Sequence, residues 1–212
     1  MPDNLRVHSL TLGPLGANCF VVAQGRDALV IDPGDEPDQV VRLVTRLGVT
    51  PAAILLTHGH FDHFGATEPL VAAWKVPVYV GAADAGQIAD PGMTWGIRVP
   101  PVTADPVLID GEQRLELPLP LLAIPTPGHS PGSYTFQLAE HLFSGDLIFS
   151  GSVGRTDLSG GSARTLIESI GALVRRFPAE TMVHCGHGPD TTLGRELARN
   201  PFFAPLRREL ER

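Results

Sequence analysis

Apolar positions along the chain follow two periods. Short β-prone runs at Val7 to Leu12, Cys19 to Ala23 and Ala28 to Ile31 are separated by the turn formers Gly-Pro, Gly-Ala-Asn and Gln-Gly-Arg-Asp, which predicts an opening meander. After Asp32-Pro33-Gly34 the period lengthens: Val40, Val41, Val44 and Leu47 fall on one face of a helix over Pro37 to Leu47, and Gly48 ends it. A compact apolar strand is predicted over Ala52 to Thr57, a helix over Gly65 to Lys75 and a strand over Val76 to Val80. This alternation predicts an α/β protein.

From about Val107 the chain returns to strands, at Gln113 to Leu117, Leu121 to Pro125, Ser133 to Leu138 and His141 to Ser144. Ser162 to Phe177 is the clearest helix. Leu166, Ile167, Ile170, Leu173, Val174 and Phe177 trace its apolar stripe, Ser162 can cap its start and Pro178 stops it. A strand over Glu180 to His184 precedes C-terminal helical segments. Ala82 to Thr103, rich in Gly, Pro and polar residues, reads as a loop over a site.

Composition narrows the class. With 212 residues, 43% of them hydrophobic, the chain can bury a core without disulfides, and no linker or repeat divides it, so one domain over residues 1–212 is expected. The formal net charge of −7 and the dispersal of the 16 Lys and Arg residues argue against a nucleic-acid partner. No apolar run reaches the length of a membrane span, and the first residues lack a basic region followed by an apolar one, so a cytoplasmic protein is expected. Cys19 and Cys185 are far apart and outside any metal-thiolate spacing; they read as small buried hydrophobes, with oxidation of Cys185, near His187, as a lesser alternative.

Four segments share a local grammar: AAILLTHGHFDH, LLAIPTPGH, HLFSGD and ETMVHCGH each carry an apolar run into a Gly- or Pro-containing turn that holds His or Asp. Strands lying side by side with aligned ends would bring these turns to one sheet edge, where α/β proteins bind ligands. Five of the eight histidines (His58, His60, His63, His129 and His187) fall there. Three imidazoles and a carboxylate within His58-x-His60-x-Asp62-His63 have no common structural purpose, and mixed His and carboxylate ligands suit a catalytic metal. His8, His141 and His184 read as ordinary hydrogen-bonded residues.

These motifs resemble the metallo-β-lactamase fold superfamily, whose H-x-H-x-D-H signature is followed by a later His, an Asp and a final His. Here the series is THGHFDH, TPGHSPGS, FSGD and CGHGPDTT. The resemblance implies a four-layer αββα sandwich with two divalent metal ions, zinc first and iron or manganese as alternatives. His58, His60 and His129 would hold one, Asp62, His63 and His187 the other, and Asp146 would bridge them, with Asp62 and Asp146 as the catalytic carboxylates. A metal-bridging hydroxide would then be the nucleophile.

FSGSVGRTDLSGGS and GHGPDTTLGRELARNPF resemble the short glyoxalase II-like hydrolases, which implies hydrolysis of S-lactoylglutathione or another anionic small-molecule thioester. The extra C-terminal glutathione-binding domain of full-length glyoxalase II has no counterpart in this sequence, and the loop after Asp146 offers Arg155 as the substrate-binding residue. Arg98 and the 82–103 stretch are further candidates for substrate contact. The Gly-Arg-Thr-Asp stretch also resembles persulfide dioxygenases, which use one iron on the residues matching His58, His129 and Asp146. A lactonase of the same fold is the other alternative, and a true β-lactamase ranks lower.

Overall fold

The computed structural model describes residues 5–94 and 97–210. It opens with the expected meander, β1 (Arg6–Leu12), β2 (Ala17–Gln24) and β3 (Asp27–Ile31). There follow α1 (Pro37–Leu47), β4 (Thr50–Leu55), α2 (Phe61–Phe64), α3 (Thr67–Trp74), β5 (Val78–Gly81), a single 3₁₀ turn and α4 (Ala85–Ala89). Next come the short hairpin β6 (Met93–Thr94) and β7 (Ile97–Arg98), then β8 (Val107–Ile109), β9 (Gln113–Leu115), β10 (Leu121–Pro125), β11 (Tyr134–Leu138) and β12 (His141–Gly145). The last part holds β13 (Ile148–Phe149), β14 (Ser152–Val153), α5 (Ala163–Arg176), β15 (Met182–Cys185), β16 (Thr191–Thr192), α6 (Leu193–Arg199) and α7 (Ala204–Leu210).

Two six-stranded sheets carry the structure, ordered β1-β2-β3-β4-β5-β8 and β16-β15-β12-β11-β10-β9. Strand alternation explains the four layers. Along β2, Phe20 and Val22 face the second sheet, where they join Leu29, Ala53, Leu121, Ala123, Phe136 and Phe143. Cys19, Val21 and Ala23 face the other way, onto Val40 and Val44 of α1 and Leu70 of α3. Covered on both faces, β2 reads as a continuous apolar run. The second sheet is covered likewise: Leu142, Val183 and Cys185 lie against Leu166, Ile170 and Leu173 of α5 and Phe203. The two cysteines sit in opposite outer layers, each fully buried.

Helix α1 has the expected bounds, and Ser162 caps α5 by accepting from the Thr165 backbone N–H. Three expectations are corrected. The strand expected to reach Thr57 ends at Leu55, because the Thr57 N–H turns to the Asp32 carboxylate. The helix expected over Gly65 to Lys75 begins only at Thr67, as α3, since the Ala66 N–H bonds to the Pro33 carbonyl, and the separate turn α2 precedes it. The stretch expected to be loop from Ala82 to Thr103 contains α4 and the β6–β7 hairpin, elements too short to leave a periodic signature. No helix among the described residues is long and apolar enough to cross a membrane.

Candidate metal centre

β12 and β15 run parallel, and β10, two antiparallel steps from β12, runs the same way. Their C-terminal ends therefore share one edge, and His129, Asp146 and His187 leave from it. β4 of the first sheet delivers residues 57–63 to that rim. Backbone bonds lock the sheets together here: Tyr134 N–H to Thr57 O at 2.7 Å and Asn18 N–H to Gly186 O at 2.7 Å. The alignment expected of the four turns is the one the sheets produce.

The rim gathers all seven residues expected as ligands. His58, His60 and His129 offer ligand atoms within 4.8 Å of one another, and Asp62, His63 and His187 form a second such group. His60 Nδ1 lies 2.7 Å from His129 Nε2, and His63 Nε2 lies 3.3 Å from His187 Nε2. Asp146 stands between the groups. Its Oδ2 is 3.5 Å from His129 Nε2 and 3.6 Å from His187 Nε2, while Oδ1 is 3.3 Å from His63 Nε2. Asp62 Oδ2 approaches His187 Nε2 at 3.3 Å. Only glycine can border Asp146 this closely: a Cβ at Gly186 would stand 2.1 Å from Asp146 Oδ1.

The far side of three of the rings is fixed by a partner. His58 Nδ1 donates to Thr57 Oγ1 at 3.0 Å, and that hydroxyl in turn donates to Asp32 Oδ2 at 2.6 Å. Asp32 Oδ2 also accepts from His63 Nδ1 at 3.0 Å, and the Arg155 carbonyl accepts from His129 Nδ1 at 2.8 Å. Each bond places the proton on Nδ1 and leaves Nε2 as a lone-pair donor facing the centre, as metal-binding histidines require.

A second buried carboxylate, besides Asp32, joins the two halves. Asp84 accepts from Gly59 N–H (2.8 Å), Ser130 Oγ (2.6 Å) and Gly132 N–H (2.7 Å), tying the turn that carries His58 and His60 to the one that carries His129. Asn18 does the same for the last turn, donating through Nδ2 to the Cys185 and Gly188 carbonyls.

The cluster is built for cations. Buried His58 Nε2 has no hydrogen-bond partner, and Asp146 Oδ1 has none of adequate angle. A buried polar atom left this way is costly unless something outside the chain satisfies it. Burial, then the neighbouring imidazoles, push His58 well below its ordinary range, and burial and His129 bring His60 down to about 4. Burial works the other way on Asp146, yet His63, His129 and His187 hold its carboxyl at about 2. His63 is raised: burial opposes its charge, but Asp146 and Asp32 outweigh it. His187 is raised too, by Asp62 and Asp146 against burial. Imidazoles held neutral at His58 and His60, imidazoles at His63 and His187 that would give up a proton to a bound cation, and ionised carboxylates converge on two adjacent points and fit divalent metal ions.

The cluster opens into a cavity of about 590 Å³ lined by His60, Asp62, His129, Asp146 and His187 on one side and by Phe61, Phe149, Val153 and Leu158 on others. Arg155 stands on its wall, with Nε and Nη2 each 2.7 Å from an oxygen of Asp157. Arg98 lies in a neighbouring cleft of about 160 Å³. Of the 82–103 stretch, Gln87 and Pro91 line the main cavity.

Sequence reasoning missed Asp32, Thr57 and Asp84. The signal for the first and last was present: ALVIDPG and VYVGAAD also run an apolar strand into a Gly-containing turn with an aspartate. Asp32 adopts a left-handed φ of 51°, which Asp tolerates better than most residues.

Comparison with known proteins places this arrangement. Residues 12–187 match the family model of the metallo-β-lactamase superfamily. The chain belongs to that superfamily, as its fold and the order of its motifs indicate. It is 40% identical over 202 residues to YqgX of Bacillus subtilis (strain 168), named a probable metallo-hydrolase, covering 92% of this chain and 95% of that one. It is 31% identical over 205 residues to the hydroxyacylglutathione hydrolase GloC of Haemophilus influenzae, covering 88% and 92%. Among solved structures it superposes on the B3 metallo-β-lactamase BLEG-1 with a TM-score of 0.89 at 35% identity, covering 94% of this chain and all of that one. With TTHA1623 in a di-iron-bound form the TM-score is 0.84 at 42% identity, covering 92% and 99%. The protein is a metallo-hydrolase.

Proposed function

We propose that this metallo-hydrolase is a binuclear thioester hydrolase of the glyoxalase II type. The observation that carries the reading is the pair of adjacent triads with one carboxylate, Asp146, between them. His58, His60 and His129 would hold one divalent ion, Asp62, His63 and His187 the other, and Asp146 both. Zinc suits these donors, and iron or manganese accepts the same set; the di-iron form of TTHA1623 supports iron in this fold. Ions bound there supply Lewis-acid polarisation and bring the pKa of water toward neutrality.

The chain's own groups do the rest. Asp62 and Asp146 face the cavity, and both carboxyls lie below their ordinary range, Asp62 through His187 and His63 against the upward push of burial. They stay ionised and accept hydrogen bonds from the attacking water, fixing its orientation. Its oxygen bonds to the acyl carbon, the carbon–sulfur bond breaks, and the electron pair leaves with sulfur, giving a carboxylic acid and a thiol. Arg155, on the cavity wall, contacts the substrate. The likeness to GloC supports a thioester.

A one-iron dioxygenase would use His58, His129 and Asp146 and leave the second triad without a role. The likeness to BLEG-1 favours β-lactam hydrolysis as a second reading at the same centre. The test is turnover of S-lactoylglutathione by protein whose metals have been counted, with oxygen uptake on glutathione persulfide and hydrolysis of a chromogenic cephalosporin run alongside. Thioester hydrolysis with two metals per chain is expected; oxygen consumption with one iron, or cephalosporin hydrolysis alone, overturns the reading.

A further inference from the structure

The cavity walls beyond the metal cluster are mostly apolar. Leu15 enters from the β1–β2 turn, Phe61 and Phe64 from α2, Phe149 and Val153 from the β13–β14 hairpin, and Leu158 from the loop that follows. Phe149 sets its ring edge-on to His187, with centroids 5.9 Å apart, so the apolar surface begins at the cluster itself. At the mouth, Leu15 and Leu158 are 37% and 38% exposed. Contiguous apolar surface that faces water beside a reactive centre marks where a ligand buries its own apolar part.

The polar lining is equally specific. Away from the cluster it consists of the uncharged Gln87, Ser152 and Ser159 together with Arg155. The Arg155 charge is already compensated, because both oxygens of Asp157 occupy Nε and Nη2 in a bidentate pair. Nη1 lies outside that pair and can donate to a neutral carbonyl. Glutathione carries two carboxylates, which a site selective for it would be expected to meet with charge-assisted donors. To bind one bidentately here, Arg155 would first have to release Asp157.

We propose that this cavity takes an acyl thioester whose aliphatic acyl chain lies along the Phe61–Phe149–Leu158 wall and whose thiol carrier is uncharged and amide-bearing. The inference rests on the thioester-hydrolase reading and narrows it to a substrate class. Arg155 serves as a donor to a carrier carbonyl, not as a carboxylate clamp. Among the described residues lining the neighbouring cleft, Arg98 is the one cation, and that cleft meets the cavity at Leu15, Phe61 and Asp62.

The experiment compares four thioesters on metal-loaded protein: lactoyl and hexanoyl groups, each on glutathione and on N-acetylcysteamine. Burial of a methylene raises kcat/KM by about fourfold, so hexanoyl is expected to exceed lactoyl on either carrier by roughly tenfold or more. N-acetylcysteamine thioesters are expected to match or exceed their glutathione counterparts. Leu158→Asp, at an exposed position that does not threaten folding, should shrink the hexanoyl advantage. Preference for S-lactoylglutathione, lost in Arg98→Ala, would overturn the substrate class while upholding thioester hydrolysis. Failure of all four thioesters would overturn both.

Discussion

Two clusters of histidine and aspartate stand in the same chain. One is the metal-centre candidate. The other is His141, His184 and Asp190, where His141 Nδ1 lies 2.9 Å from His184 Nε2 and His184 Nδ1 lies 2.8 Å from Asp190 Oδ2. Both are partly buried, and their ring nitrogens are equally close. They differ in what is left over. In the second cluster both ring nitrogens of buried His184 are partnered, and its ring is stacked on Phe143 at 4.6 Å and tilted against Phe20 at 5.3 Å. The first leaves His58 Nε2 without a partner and faces a cavity. Proximity of histidines therefore does not define a site; unsatisfied donor atoms converging on accessible space do. His8 Nε2 and Thr67 Oγ1 are also unpaired, but neither belongs to a group of candidate ligands among the described residues.

The sharpest way to break the comparison is at Asp146. Asp146→Ala removes the carboxylate that both triads share. Activity is expected to fall by at least about 100-fold, and bound metal to drop below two per chain by elemental analysis. Wild-type turnover with full metal content would mean that this cluster, like the one at His184, is structural.

Asp84 gives the next largest effect. It touches no expected ligand, yet it holds Gly59 beside His58 and His60, and Ser130 beside His129. Asp84→Asn keeps the shape and replaces one acceptor with a donor. Metal affinity of the His58–His60–His129 group should fall about tenfold, read by competition with a chelator, while the Asp62–His63–His187 group changes less. Equal weakening of both groups would make Asp84 a general stabiliser of the fold.

Sequence and structure part company along the same line that separates the two clusters. His58, His60, Asp62 and His63 were legible because three imidazoles and a carboxylate within six residues have no ordinary use, and His129, Asp146 and His187 because each ends an apolar run in a glycine turn. The four layers were expected only through the resemblance to the superfamily; the apolar runs of β2 and β4, covered on both faces, account for them in the fold. Asp32 and Asp84 obey the same strand-to-turn grammar but stand alone, and a single aspartate after a strand is usually a turn residue. Their role depends on Thr57, Gly59 and Gly132, partners that only the folded arrangement reveals. The 82–103 stretch was illegible for a different reason: α4 has five residues and β6 and β7 two each, too few for a period to appear.

His184 tests the comparison from its other side. His184→Phe removes the middle of the second cluster and keeps an aromatic ring against Phe143. Asp190 is 42% exposed and can turn to water, so the loss is that of about one net hydrogen bond, about 1 kcal/mol by denaturant titration. Metal content and kcat should stay at wild-type values. A drop in bound metal would show that the second cluster supports the first through the intervening Cys185–Gly186 turn.

The smallest expected effect is at the cysteines, where the prediction is that nothing happens until the fold opens. Cys185 lies two residues from His187, which would suit a redox-sensitive thiol. The structure gives it no thiolate character: burial, with Asp190 and Glu196 adding to it, pushes the thiol up to about 12, and its sulfur lies 3.8 Å from the Val183 carbonyl. Burial, with Asp32 adding to it, raises Cys19 further. Reaction requires the thiolate, so neither cysteine should be labelled by a maleimide at pH 8 in the native protein, and both should be labelled in denaturant. Labelling of Cys185 alone in the native state, with loss of bound metal, would show that the turn carrying His187 opens on its own. That result would make the final ligand the mobile part of a centre whose His58, His63 and His129 are fixed by Thr57 and Asp32, and by the Arg155 carbonyl.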